Sequence, residues 1–400
     1  MTRPQLTLGT RLRAISIALA LASVLVPAVV AQGQTFNVLY NFTGGSDGGY
    51  LFDSLIRDAA GNLYGTTRSG GASGDGTVFM LDTSGTETVL YSFSGVPDGA
   101  RPYASLIRDP KGHFCGTTFV GGSESCSNQY GSGCGTVFDV DKAGKETVLY
   151  SFTGTGTDGV NPLAGVVRGP QGALYGTTAG GGASGYGTVF KLVPNGKEIV
   201  LYGFTGTGGD GATPEAGLLR DGKGNLYGVT YGGGTSGDGT VFMLDKTGKE
   251  TVLYSFGGSP DGANPSFGYL IRDAKGNLYG TTENGGAYDV GTVFKLTPGG
   301  KETVLHSFDY NGTDGGAPAT GLIRDAKGNL YGTTSGGGAS GWGTVFMLDK
   351  TGNETVLHSF TGSDGEVPFG SLLRDPQGNL YGTTFGGGSG GYGVVFELTP

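Results

Sequence analysis

The sequence contains few of the residues that most often hold metals or perform covalent catalysis. Only three cysteines, three histidines and one tryptophan occur among 400 residues. There is no HExxH motif, no pair of CxxC motifs and no P-loop, so zinc and nucleotide chemistry have no sequence support. We therefore expect no metal and no cofactor.

Positive charge is also scarce. Lysine and arginine number 25 against 34 aspartates and glutamates, which gives a net charge of −9, and no basic cluster interrupts this balance. Such a surface repels phosphate, so we expect no nucleic-acid partner. After residue 31, no apolar run is long enough to span a membrane, and we expect no integral membrane segment.

The one long apolar run lies at the N-terminus. Arg3, Arg11 and Arg13 precede apolar residues 14–30, and small residues at 29–31 offer a cleavage point. This pattern predicts a secretory signal peptide at residues 1–31, with a single membrane anchor as the alternative. The shortness of the run and Pro27 near its end favour the signal peptide. We expect a mature protein that is secreted, periplasmic or at the cell surface.

Glycine, in contrast, is abundant. Its 85 residues fall mostly at fixed places in a repeat, which contains close copies of Leu-Tyr-Gly-Thr-Thr. The seven central glycines are Gly65, Gly116, Gly176, Gly228, Gly280, Gly332 and Gly382. The steps between them are 51, 60, 52, 52, 52 and 50 residues. A period of this length is typical of a repeat architecture.

Each repeat contains four short apolar runs bounded by turn residues, which predicts four strands. In the fourth repeat these are residues 217–220, 225–230, 239–244 and 250–256. No window after the N-terminal run has a helical period, so we predict an all-β fold. Two connections are short hairpins and two are long and variable. In an up-and-down sheet both long connections leave the same edge, so one face should carry all the variable loops.

Four antiparallel strands repeated seven times predict a seven-bladed β-propeller. The chain after residue 31 begins with a lone outer strand at residues 36–42 and finishes with a third strand at residues 393–398. The N-terminal strand can therefore complete the last blade and close the ring, which removes exposed sheet edges. We predict one propeller domain over residues 32–400, and a monomer.

Three motifs recur together in the repeats. In one unit they are Gly-Asn-Leu-Tyr-Gly-Thr-Thr at residues 276–282, Gly-Thr-Val-Phe at 291–294 and Val-Leu-His-Ser-Phe at 304–308. With these motifs, nearly all of the chain after residue 31 resembles the GloVer-type tandem repeat proteins of bacteria. The resemblance implies an exported protein of propeller type. It implies no established activity and no catalytic residues.

Residues that differ between repeats on the long loops are the best candidates for function. Aromatic rings are frequent at two such positions, one after Gly-Thr-Thr and one before the third strand. Exposed rings suit sugar rings or other apolar ligand faces, although the same rings can instead pack between neighbouring loops. The predicted ligand-binding residues are Phe119, Tyr186, Tyr231, Trp342, Phe385 and Tyr392.

These observations predict a non-catalytic binding or scaffold propeller that engages a glycan or an exported protein. The alternative is a carbohydrate-active hydrolase or lyase that uses carboxylates on the same face. Glu215 and Glu283 are the candidate pair for that alternative, because an acid and a base or nucleophile require two carboxyl groups.

The remaining uncommon residues have structural interpretations. Cys126 and Cys134 share the only long insertion, which predicts a local disulfide and leaves Cys115 as a buried free thiol. His306 and His358 stand where other repeats have tyrosine, and we expect them to pack. The aspartate of each recurring Asp-Gly pair is expected to form a turn, because one carboxylate per loop is too few for calcium.

Overall fold

The computed structural model describes residues 34–52, 54–124, 126–128 and 131–399. The predicted signal peptide at residues 1–31 lies outside the described residues. From Gln34 onward the chain forms one compact unit, in which seven four-stranded antiparallel sheets are the blades of a β-propeller. Within the described residues there is no α-helix, and the one helical turn is the 3₁₀ turn Pro170–Gly172. The predicted seven-bladed, all-β fold is confirmed.

The strands recur in the same order in every blade, and we number the blades 1 to 7 along the chain. The innermost strands are Ile56–Arg57, Ile107–Arg108, Val167–Arg168, Leu219–Arg220, Ile271–Arg272, Ile323–Arg324 and Leu373–Arg374. The second strands are Leu63–Thr67, Phe114–Thr118, Leu174–Thr178, Leu226–Thr230, Leu278–Thr282, Leu330–Thr334 and Leu380–Thr383. The third strands are Thr77–Leu81, Thr136–Val140, Thr188–Leu192, Thr240–Leu244, Thr292–Leu296, Thr344–Leu348 and Val394–Thr399. The outer strands are Glu87–Ser92, Glu146–Ser151, Glu198–Gly203, Glu250–Ser255, Glu302–Ser307, Glu354–Ser359 and Thr35–Asn41.

The outer strand of blade 7 comes from the N-terminal end of the described chain. Thr35–Asn41 pairs antiparallel with Val394–Thr399, with Thr35 opposite Thr399 and Asn41 opposite Val394. The Asn41 side-chain oxygen also accepts a hydrogen bond from the backbone N–H of Ser389 at 2.8 Å. The predicted closure of the ring by the N-terminal strand is confirmed.

Two phenylalanines form the apolar joint between neighbouring blades. The phenylalanine after each outer strand packs edge-on against that of the next blade's third strand, as Phe204 does on Phe242 with ring centroids 5.1 Å apart. The central glycine of the repeated motif makes room for this ring, because a Cβ on Gly228 would lie 2.6 Å from Phe242. The recurrence of this glycine is therefore a packing requirement that every blade must meet.

A carboxyl-rich joint connects neighbouring outer strands. The glutamate that begins an outer strand faces the loop aspartate that precedes its blade, as Glu250 faces Asp210. Burial raises the pKa of Glu250 to about 7, and the Asp210 charge adds to this effect. One carboxyl oxygen of each such glutamate has no hydrogen-bond partner within the described residues. The six glutamates, all with a pKa of about 7, are Glu87, Glu146, Glu198, Glu250, Glu302 and Glu354.

Arginines at the ends of the innermost strands also connect the blades. Arg272, for example, lies over the Tyr227 ring of the preceding blade at 5.6 Å. At the joint of blades 2 and 3 the tyrosine is replaced by Cys115, whose sulphur lies 3.5 Å from the Arg168 guanidinium. Burial raises the pKa of the Cys115 thiol to about 12. Because the thiolate is the reactive form, Cys115 is unreactive near neutral pH.

Candidate binding site on the long-loop face

The two long loops of each blade lie on one face and are hydrogen-bonded to each other. In blade 4, Gly211–Ala212 pairs with Gly232–Gly233, and the N–H of Tyr231 donates to the carbonyl of Thr213 at 3.0 Å. The equivalent of this second bond occurs in all seven blades. Its acceptor is a non-glycine residue with φ between 51° and 60° in every blade. Such strained residues persist only where the surroundings hold them, so this face is rigid.

A cavity of about 460 Å³ lies between the innermost strands of blades 1 to 5. Its walls are mainly apolar and include Leu55, Leu106, Leu218 and the rings of Phe267 and Tyr269. No carboxyl group lines it within the described residues. The cavity therefore has room for a small ligand but, in the described part of the chain, no carboxyl group that could act as an acid or a base. The residues that differ most in chemistry between blades lie instead where the long loops enter the innermost strands.

Five aromatic rings meet where the long loops enter the innermost strands, a region that we call the mouth. These rings are the mouth cluster: Phe52, Tyr103, Phe267, Phe369 and Phe385. Phe52 is central, because it stacks on Phe369 at 5.0 Å and contacts Tyr103 at 4.6 Å and Phe385 at 4.9 Å. Its ring also lies 6.1 Å from that of Phe267. Since Phe52 precedes blade 1 and Phe267 precedes blade 5, these rings meet across the centre of the propeller.

Three of the predicted ligand-binding residues belong to or adjoin the mouth cluster. Phe385 is a member, and Tyr50 links it to Tyr392 through ring contacts of 4.8 and 5.3 Å. Phe119 contacts Tyr103 at 5.1 Å. Phe119 is only 7% exposed, so it supports Tyr103 from beneath and does not present a surface to a ligand.

The two predicted carboxyl groups also lie at the mouth, within electrostatic range of each other. Glu215 lies in the loop that leads into blade 4, and Glu283 follows the Gly-Thr-Thr position of blade 5. Burial, with a contribution from the Glu283 charge, raises the pKa of Glu215 to about 7. Burial likewise raises the pKa of Glu283. Tyr231 lies within electrostatic range of both groups, because burial first, and then the charges of Glu283 and Glu215, raise its pKa.

Ser266 and Phe267 connect the aromatic and acidic parts of the mouth. The Ser266 hydroxyl lies near the Glu283 carboxyl group and opposes the rise in its pKa. That hydroxyl is buried, with the residue 3% exposed, yet it makes no hydrogen bond of normal geometry within the described residues. The adjacent Phe267 ring faces Phe52 and Phe369. Ser266 and Phe267 therefore place the Glu283 carboxyl group beside the mouth cluster.

Tyr186 and Trp342 lie apart from the mouth, on blades 3 and 6. They are 44% and 43% exposed. Each ring covers a loop glycine: a Cβ would lie 3.1 Å from Tyr186 at Gly206 and 3.5 Å from Trp342 at Gly362. Neither makes a ring contact with the mouth cluster in the described part of the chain. They form a rim of isolated exposed rings.

Four members of the mouth cluster were missed by the sequence analysis. They stand at one position, four residues before the innermost strand, which varies strongly from blade to blade. That variation was the signal that could have found them. The residues at this position are Phe52, Tyr103, Leu163, Glu215, Phe267, Ala319 and Phe369.

The inserted loop of blade 2 carries the disulfide. Cys126 and Cys134 are bonded, with their Cα atoms 5.6 Å apart, whereas Cys115 is free and buried. At the mouth, no group of three metal-ligating side chains occurs among the described residues.

Comparisons with known proteins concern both the fold and the repeat. The similar solved structures include a gluconolactonase from Xanthomonas campestris, which is 14% identical, with 91% of this chain and 89% of that chain covered, at a TM-score of 0.44. They also include a protein of unknown function from Bacteroides thetaiotaomicron, which is 15% identical, with coverages of 92% and 76% and a TM-score of 0.44. At TM-scores below 0.5, these structures carry no argument about activity.

The sequence comparisons are more specific. Among curated proteins none is significantly similar in sequence. Within the described residues, no helix has the length and apolar character needed to cross a membrane. Residues 26–153, 126–325 and 251–400 match the Gloeobacter/Verrucomicrobia repeat. These segments cover most of the chain and confirm the predicted resemblance, so the chain belongs to the Gloeobacter/Verrucomicrobia repeat family.

Proposed function

We propose that this chain is an exported binding propeller that takes a glycan at the centre of its long-loop face. The observation that carries the proposal is the junction at Ser266 and Phe267, where the mouth cluster meets the Glu215 and Glu283 pair. A sugar ring presents an apolar face that packs on aromatic rings and hydroxyl groups that donate to carboxylates. The mouth offers both kinds of surface side by side, on a rigid scaffold.

Export is supported by two features of different kinds. Residues 1–31 have the sequence pattern of a signal peptide. The Cys126–Cys134 bond is of a kind that persists in oxidising compartments outside the cytoplasm. A glycan ligand suits such a location, because polysaccharides and glycosylated proteins are present there.

Replacing Tyr231 with alanine is expected to weaken glycan binding by a factor of about 10 to 100. The ring lies within electrostatic range of both carboxyl groups, and this factor corresponds to about 1 to 3 kcal/mol, as is usual for an interface anchor. The measurement is a glycan panel, followed by titration of the tightest ligand. Trp342, the only tryptophan in the chain, reports by its fluorescence on ligands that reach the rim.

Tyr288 provides a matched control, because it is a tyrosine in a long loop of blade 5 that is 58% exposed. Tyr288→Ala is expected to bind the glycan as tightly as the wild type. The proposal is wrong if Tyr231→Ala keeps full affinity, or if no glycan binds and an exported protein occupies this face.

Glycan cleavage is a second candidate function, favoured specifically by the carboxyl pair. With a pKa of about 7, Glu215 is largely protonated in mildly acidic conditions and can act as a general acid. Glu283 then serves as base or nucleophile, and the distance between the two groups sets the stereochemistry of a hydrolase. A lyase would use one carboxylate to remove a ring C–H proton and the other group to protonate the departing oxygen as the C–O bond breaks.

Glu215→Gln is expected to reduce turnover by about 100-fold or more under this second candidate function, while binding is kept. The measurement is release of reducing ends from the glycans that bind. Glu366→Gln, in a long loop of blade 7, is the matched control and should leave turnover unchanged. If the wild type releases no reducing ends from any bound glycan, glycan cleavage is rejected and binding alone stands.

A further inference from the structure

The joint between the outer strands of blades 5 and 6 gathers three side chains that can ligate a metal. His306 lies in the outer strand of blade 5, Asp314 in the following loop, and Glu354 begins the outer strand of blade 6. One donor atom from each lies within 4.8 Å of the other two. No second trio of this kind occurs among the described residues.

Five equivalent joints have the same two carboxyl groups but a tyrosine in place of the imidazole. At the joint of blades 4 and 5, the Tyr254 hydroxyl donates to Asp261 at 2.8 Å. A protonated tyrosine is a hydrogen-bond donor, so it satisfies the aspartate and is a poor ligand for a cation. A neutral imidazole offers a lone pair instead and is the commonest metal ligand in proteins. The substitution at His306 therefore changes the chemistry of this joint alone.

His358 occupies the same position in blade 6 but has different surroundings. Its Nε2 lies 2.9 Å from Asp364 Oδ2, at hydrogen-bond distance. The glutamate of other joints is replaced by Phe36, whose ring stacks on the imidazole at 3.7 Å. Among its described residues, this joint holds only two groups that could ligate a metal, and they pair with each other. An imidazole beside an aspartate is therefore not sufficient for a three-ligand site.

The distance between His306 and Asp314 fits two ligands of one metal ion better than it fits a hydrogen-bonded pair. His306 Nε2 and Asp314 Oδ1 are 3.5 Å apart. Two atoms bound at about 2.0 Å to a tetrahedral zinc ion lie about 3.3 Å from each other. His306 Nε2 and Glu354 Oε1 are both buried and make no hydrogen bond of normal geometry within the described residues.

The backbone also holds the aspartate in place. The N–H of Gly315 donates to Asp314 Oδ1 at 2.7 Å, and the N–H of Asp309 donates to Asp314 Oδ2 at 3.0 Å. Hydrogen bonds of this kind orient a ligating carboxylate before the metal arrives. The joint therefore has a fixed Asp314 carboxylate next to two possible metal-ligating atoms that make no hydrogen bond of normal geometry among the described residues.

We propose that His306, Asp314 and Glu354 bind one Zn²⁺ ion that ties the outer strands of blades 5 and 6 together. Zinc accepts one imidazole with two carboxylates, whereas calcium prefers six to eight oxygen ligands. The His306 and Asp314 side chains are 19% and 16% exposed, so the joint lies close to solvent, which would supply a water molecule as the fourth ligand. The joint lies on the outer strands, and its role is structural.

The test is titration of the untagged protein with ZnCl₂ alone, followed by calorimetry and by thermal unfolding. The wild type is expected to bind one Zn²⁺ per chain and to gain thermal stability, because the ion binds the folded state. His306→Tyr restores the residue of five other joints, so the fold is kept, and it is expected to lose about tenfold or more in affinity. Glu354→Gln is expected to lose affinity as well.

His358→Tyr is the matched control, because it makes the same substitution one blade later and should bind Zn²⁺ as the wild type does. The absorption of bound Co²⁺ provides a second readout that responds to loss of the imidazole ligand. The proposal is overturned if the wild type binds no Zn²⁺ or if His306→Tyr binds it equally well. A stoichiometry near six also overturns it, since the recurring Asp and Glu pairs would then suffice.

Discussion

Deletion of residues 32–42 is expected to open the ring and lower Tm by at least about 10 °C. This segment supplies the whole outer strand of blade 7, and its Phe42 ring contacts Phe79 of blade 1 at 5.1 Å. Removal of that ring alone, as in Phe42→Ala, is expected to cost about 3 to 5 kcal/mol. The deletion also leaves the edge of Val394–Thr399 unpaired, which favours association between chains. Thermal unfolding and size-exclusion chromatography measure the two effects.

A circular permutant tests whether the lower Tm of the deletion variant is caused by the missing strand. Thr35 lies opposite Thr399 in the closing pair, so the segment can follow the last strand through a short hairpin. Moving residues 34–43 behind residue 400 is expected to restore most of the Tm that the deletion removes. A deletion variant that is monomeric and unfolds at the wild-type temperature would disprove closure by this strand.

The ring was predictable because its packing problem is the same in every blade. Gly228 must lack a side chain where Phe242 approaches, and the equivalent glycine recurs at nearly constant spacing. The lone outer strand at the start of the repeats, and a last repeat that finishes on its third strand, then indicated the closure. The repeated local motifs in the sequence were therefore sufficient to predict the fold.

The candidate site was predictable only in part, because its contacts join residues from different blades. Glu215 and Glu283 stood out as carboxylates on the variable face, but their shared burial follows from the approach of two loops across a blade boundary. The contact of Phe52 with Phe267 depends on how the blades curve around the centre, and no repeat motif records it. The sequence placed candidate rings on the right face but did not show which of them meet.

The metal site that we propose was not visible in the sequence for a similar reason. His306 was interpreted as a packing substitution, and Glu354 was not singled out, because five other blades contain its equivalent. A trio forms only where one joint combines the shared carboxyl groups with an exceptional imidazole. Such a combination becomes visible when the joints are compared in three dimensions.

Thermal stability is expected to be highest near about pH 5 and to decrease by about 5 to 10 °C in Tm on going to about pH 8. The cause is the set of joint glutamates, of which Glu250 is typical. Its pKa is about 7 in the folded protein, raised by burial and by Asp210 from an ordinary value of 4.5. Folding therefore takes up protons between these values. The resulting stability is present below about pH 4.5 and is lost as the pH rises through about 7.

Turn aspartates limit stability on the acidic side. Burial acts to raise the pKa of Asp221, but hydrogen bonds from Asn225, Lys223 and Tyr227 outweigh it and lower that pKa below its ordinary value. Stability from such a group is present above its unfolded pKa and is lost as the pH falls through the folded one. The two sets of carboxyl groups together place the maximum between the ordinary pKa of a carboxyl group and neutrality.

Glu250→Gln tests the contribution of one joint. The amide resembles the protonated carboxyl group and carries no charge against Asp210, so we expect a higher Tm than the wild type at about pH 8 and a flatter pH profile. The joint glutamates are partly exposed, and solvent screening makes each contribution far smaller than its full pKa shift implies. Glu124→Gln, at an exposed position in the inserted loop of blade 2, is the control and should leave the profile unchanged. A wild-type Tm that rises steadily from about pH 5 to about pH 8 would show that these carboxyl groups do not hold their protons in the folded state.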